Sequence, residues 1–62
     1  MSQTEWLRVQ LLLGRKITPM DSLKEAGCFR LAARVQELRR EGLAVQSRMV
    51  QRNTKRFAEY WI

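Results

Sequence analysis

Apolar positions recur at two different periods along the chain, and the change from one to the other divides it into a helical part and a strand part. Ser2 and Glu5 stand at the spacing of a capping box, and Trp6, Val9, Leu12 and Leu13 then recur at helical intervals until Gly14 ends the pattern. That spacing predicts a first helix from about Gln3 to Leu13, with the stripe covering a core. Thr18 is a good N-cap, Pro19 fits the first helical position, where its missing N–H costs nothing, and Asp21 complements the positive end of the helix. A second helix follows to about Ala26, with Met20, Leu23 and Ala26 inward and Asp21, Ser22, Lys24 and Glu25 toward water. Gly27 supplies the backbone freedom that a tight turn between helices requires.

From about Phe29 to Glu41, Leu31, Val35 and Leu38 fall along one stripe at about 100° per residue, which predicts a third helix ended by Gly42. Past Gly42 the period becomes two. Leu43, Val45 and Met49 alternate with polar neighbours, and beyond the polar segment Gln51 to Lys55, Ala58, Tyr60 and Ile62 share one strand face. This reads as a β-hairpin. The tip, Arg52-Asn53-Thr54-Lys55, has no glycine, so a tight turn there places Asn53 in the left-handed conformation. The expected fold class is mainly α with a small antiparallel sheet, one domain over residues 1–62. Its three helices and C-terminal hairpin give the order of a winged helix-turn-helix, and Ile17 adds a short edge strand to the sheet.

Twelve Lys and Arg against six Asp and Glu leave a net charge of +6, and on so short a chain such a field favours polyanions. Most of the basic residues are arginines, which suit bidentate contacts to guanine edges and phosphates. A domain of 62 residues hardly builds a cleft that encloses a substrate, and no histidine is present to serve as general base or metal ligand. Neither catalytic residues nor a cofactor are therefore expected. Cys28 has no second cysteine to pair with and no partners for a metal site, so it reads as a small buried residue. No apolar run approaches the roughly 18 residues of a membrane span, and Ser2 to Glu5 lacks the order of a signal peptide. A cytoplasmic, membrane-free protein is the expectation.

The stripe of the third helix leaves Arg30, Ala33, Gln36, Glu37 and Arg40 turned away from the core, with Arg34 and Arg39 on its flanks. A helix at 29–41 fits the major groove, where Arg pairs with guanine and Gln with adenine, so these side chains and Arg34 form the expected reading surface. The competing reading is a solvated face on which Glu37 and Glu41 pair with nearby arginines, Arg34 and Arg39 being structural or phosphate-binding. Small Ala32 and Ala33 permit close approach to the preceding helix or to a groove wall. In the wing at 48–56, Arg48, Arg52, Lys55 and Arg56 are expected at phosphates, with charged loops for solubility as the alternative. Tyr60 and Phe57 suit the core. Phe57 and Trp61 lie on the opposite strand face from Tyr60, and an exposed apolar face there would mark a partner or dimer surface.

Ile17-Thr18-Pro19, the run Gly27-Cys28-Phe29-Arg30-Leu31-Ala32-Ala33-Arg34-Val35, Leu38-Arg39, Gly42 and Phe57-Ala58-Glu59-Tyr60 together resemble the short winged helix-turn-helix proteins encoded by bacteriophages and prophages. The resemblance covers nearly the whole chain, with Ser22 standing where that family commonly has alanine. It implies a regulatory protein of the bacterial host cytoplasm that binds double-stranded DNA, either a transcriptional regulator or an excisionase-like recombination accessory factor. The second helix of the motif is then the reader. One module contacts few base pairs, so a homodimer or a cooperative array on repeated sites is expected. A different class of function is a phage-encoded protein-interaction module or inhibitor that uses the winged fold as a scaffold against a host protein.

Overall fold

Local stop and start signals set the helix bounds in the computed structural model, which describes residues 2–62; Met1, counted in the expected domain, lies outside them. Helix α1 (Gln3–Leu12) begins where the Ser2 hydroxyl accepts the Glu5 N–H at 3.1 Å. Helix α2 (Pro19–Ala26) opens on a complete capping box, in which Thr18 Oγ1 accepts the Asp21 N–H at 3.3 Å and the Asp21 carboxylate accepts the Thr18 N–H at 3.1 Å. Helix α3 (Leu31–Arg40) ends in a Schellman turn, with Gly42 at φ +97°, its N–H on the Arg39 carbonyl and the Leu43 N–H on that of Leu38. Removing the α2 cap with Thr18→Ala is expected to cost about 0.5–2 kcal/mol, seen as a lowered midpoint of thermal unfolding.

The hairpin pairs β1 (Gln46–Arg52) with β2 (Lys55–Trp61) in antiparallel register, from Gln46 opposite Trp61 to Arg52 opposite Lys55. Asn53 sits at φ 55° in the two-residue turn, the left-handed conformation that a glycine-free tip demands. Ile17 bridges Tyr60 through two backbone hydrogen bonds, at 2.7 and 2.9 Å, and so joins the sheet as its edge member.

Leu7, Leu11, Ile17, Leu31, Val35, Leu38 and Val45 form the buried core, with Trp6, Leu43 and Tyr60 packed against it. The α3 stripe is the expected one. On α1 the buried face differs: Leu7 and Leu11 fill the core, while Val9, Leu12 and Leu13 are exposed, the last two at 61 and 71 %. Six apolar side chains on this segment offer several stripes to a 3.6-residue period, and docking on α3 selects one of them. The Thr4 hydroxyl bonds Glu37 and Arg8 pairs with Glu41, which fixes the Leu7–Leu11 side against that helix.

Helix α2 is also rotated from its expected setting. Ser22 is fully buried, whereas Met20 is 54 % exposed and Leu23 is exposed as well. The Ser22 hydroxyl lies 2.9 Å from the Pro19 carbonyl and 3.2 Å from that of Cys28, so its burial leaves no polar group unsatisfied. A small side chain here lets α2 approach its neighbours closely. The Arg15 guanidinium grips Glu25 with two bonds at 2.8 Å and holds that carboxyl below the usual carboxylate range, tying the α1–α2 connection to the end of α2.

Phe57 and Trp61 do not form an open apolar face. Both are half-buried, and the Trp61 ring lies 5.9 Å from both the Lys16 ammonium and the Arg48 guanidinium.

Candidate nucleic-acid interface

Burial of Leu31, Val35 and Leu38 on one side of α3 dictates what its other side presents. Arg30, Gln36 and Arg40 are exposed and Ala33 is half-buried among them. Arg34 and Glu37 turn instead toward α1: they pair with each other at 3.2 Å, and Glu37 also accepts the Thr4 hydroxyl. The Arg34 Nε is buried without a hydrogen-bond partner, so this side chain is folded back on the domain beside Glu37. Arg39 lies on the far flank, where its Nε and Nη2 donate to the Val45 carbonyl at 3.1 and 3.0 Å and strap the loop into the hairpin.

Helix α3 also differs from the other two at its start. Ser2 and Thr18 cap α1 and α2, but Arg30 makes no side-chain cap and no acid occupies the first turn of α3. The positive end of the helix therefore adds to the charge of Arg30.

On the wing, Arg52 and Lys55 stand opposite each other across the tip and Arg56 follows on the other strand face, all exposed. Arg48 is not available in the same way, because Glu59, directly opposite in the register, holds its guanidinium at 3.1 Å. A cleft of about 810 Å³ runs between the start of α2 and the wing, bordered by Pro19, Met20, Phe57, Arg52, Lys55 and Arg56. A second, of about 360 Å³, lies between Pro19, Phe29, Arg30, Ala33 and Tyr60. Pro19 lines both, so the start of α2 has the first turn of α3 on one side and the wing on the other.

Ion pairing sorts the charges. Glu25, Glu37, Glu41 and Glu59 each hold an arginine, and Asp21 is used in the α2 cap. Among the described residues, Lys16, Lys24, Arg30, Arg39, Arg40, Arg52, Lys55 and Arg56 have no carboxylate partner, Arg39 being held by the Val45 carbonyl instead. Arg30, Arg40, Arg52, Lys55 and Arg56 of these lie on the outer side of α3 and on the hairpin, while Lys16 precedes α2 and Lys24 stands on it.

The winged helix-turn-helix domain family matches residues 2–62. The chain belongs to that family. No curated protein and no solved structure matches it. In this winged helix-turn-helix domain α2 and α3 are the two helices of the motif and the hairpin is the wing, an arrangement that points to DNA binding rather than catalysis. No described helix is long and apolar enough to cross a membrane.

Phe29, which lies outside the expected reading surface, borders the second cleft. Its ring is 86 % exposed, the most of any large apolar side chain among the described residues. A signal was present, because extending the α3 period backward puts Phe29 in phase with Ala33, Gln36 and Arg40. The contribution of the α2 start to both clefts had no such signal, since only the packed sheet brings it beside the wing.

Proposed function

We propose that this winged helix-turn-helix domain binds duplex DNA, with α3 in the major groove and the wing along the adjacent phosphates. It serves a phage or prophage as a transcriptional regulator or an excisionase-like recombination accessory factor. The observation that carries the DNA-binding reading is the distribution of charge: five of the six acids are engaged in ion pairs or a cap, while Arg30, Arg40, Arg52, Lys55 and Arg56, with no carboxylate partner among the described residues, stand exposed on α3 and the wing. The phage setting rests on the sequence resemblance. In this reading Arg30 and Gln36 reach base edges, Ala33 lets the helix approach the groove, and Arg40, Arg52, Lys55 and Arg56 meet phosphates. Arg34, Glu37 and Arg48, engaged within the chain, support the surface rather than touch DNA. Two copies on repeated sites supply the specificity one module lacks.

Selection of bound duplexes from a random pool is expected to recover a short motif. Arg30→Ala then costs about 1–3 kcal/mol at that motif and relaxes preference at one base pair, with non-specific binding hardly changed. An unaltered preference in competition overturns the placement of α3. A second reading draws on the exposed Val9 and Leu12 of α1 and Leu13 at its C-cap, which suit a scaffold that docks on a host protein. Binding that resists salt and ignores Arg30 but is abolished by Leu12→Asp favours that reading.

A further inference from the structure

The chain holds two Phe, two Trp and one Tyr, and a small domain gains from burying every large side chain it has. Trp6, Phe57, Tyr60 and Trp61 are all half-buried. Phe29 alone of the five stands in water.

Its exposure is imposed by the backbone on both sides. Before it, Cys28 is buried, with its N–H on the Ser22 carbonyl at 3.0 Å and its own carbonyl 3.2 Å from the Ser22 hydroxyl. Two residues after it, Leu31 enters the core. The ring is thus held out from a pinned segment, not from a slack loop. It borders the 360 Å³ cleft together with Arg30 and Ala33. Ala32 and Ala33 keep the surroundings low. The ring and the Arg30 guanidinium therefore meet the same stretch of whatever lies against α3.

The immediate neighbours decide the chemistry of that ligand. Arg30 borders the same cleft, and the start of α3, with no side-chain cap and no acid in its first turn, leaves the positive end of the helix free beside the ring. An apolar ring beside one arginine and a positive helix end fits an anionic ligand with isolated apolar spots. In the major groove of DNA those spots are the C5-methyl groups of thymine, and Phe is among the side chains that contact them. We propose that Phe29 is a specificity-determining residue that reads a thymine methyl in the major groove, next to the base contacted by Arg30. The inference rests on the DNA-binding reading above. Ser22 is then a positioning residue, whose hydroxyl fixes the Cys28 carbonyl and with it the ring.

The test replaces each thymine of the selected site with uracil, which keeps the base pairing and removes only the methyl. The full chain is expected to lose about fourfold in affinity at one position, the loss of one apolar carbon contact. Phe29→Ala should bind the thymine and uracil sites equally while melting like the parent, as befits an exposed residue. Ser22→Ala should narrow the thymine-to-uracil ratio and leave non-specific affinity unchanged. If no uracil substitution weakens the parent, or if Phe29→Ala still distinguishes the two sites, the assignment fails and the ring belongs to a protein contact. If the parent selects no duplex sequence at all, the DNA-reading function falls first and this assignment with it, a result distinct from the other two.

Discussion

Leu38→Ala is expected to remove about 2–5 kcal/mol of folding free energy, enough to leave most molecules of so small a domain unfolded. Leu38 is fully buried in the cluster that joins α1, α3 and Ile17, and its carbonyl also accepts the Leu43 N–H that closes the helix. Truncation deletes apolar contacts and leaves a cavity that three separately anchored elements cannot collapse to fill. Far-UV circular dichroism on heating reads the effect directly. Leu11→Ala should behave in the same way, whereas Leu12→Ala, on the exposed side of α1, should stay within about 0.5 kcal/mol of the parent. A Leu38→Ala melt that overlays the parent refutes the core as described, and equal losses at Leu11 and Leu12 refute the orientation of α1.

Replacing Arg52, Lys55 and Arg56 together with Gln should weaken every duplex alike and leave the selected sequence unchanged. Each phosphate neutralised by a protein cation releases condensed counterions, so losing three contacts should flatten the slope of log affinity against log salt by about 2.7, roughly 0.9 for each. These side chains are exposed, have no acidic partner among the described residues and border one cleft with the start of α2. Arg48 supplies the internal comparison. Its guanidinium is already held by Glu59, and Arg48→Gln should move the slope far less. A triple variant with the parent slope means that the wing does not lie on the backbone.

Features governed by a few neighbouring residues were readable from the sequence. Ser2, the Thr18-Pro19-Asp21 start, Gly27, Gly42 and Asn53 mark turns and caps because each satisfies or frees backbone groups within four residues of itself. The α3 face was equally readable, since Leu31, Val35 and Leu38 form a single apolar stripe and the rest of that helix is small, polar or charged. With α3 oriented, Arg30, Gln36 and Arg40 follow on its outer side.

Where a segment carried several apolar phases, or a polar side chain had more than one partner within reach, only packing made the choice. Leu7 and Leu11 were buried in place of Val9, Leu12 and Leu13 because α3 arrived on that side of α1 with Glu37 and Glu41 to meet Thr4 and Arg8. Ser22 went inside because two backbone carbonyls lay within reach of its hydroxyl, one of them beyond the turn. Arg39 and Arg48 were engaged by partners that the fold brought to them, the Val45 carbonyl and Glu59 across the hairpin, whereas the Arg34–Glu37 pair is local to α3 and only its link to Thr4 comes from docking. Charge and hydropathy are properties of residues, but pairing and burial depend on which groups share a volume. That is settled when the elements dock.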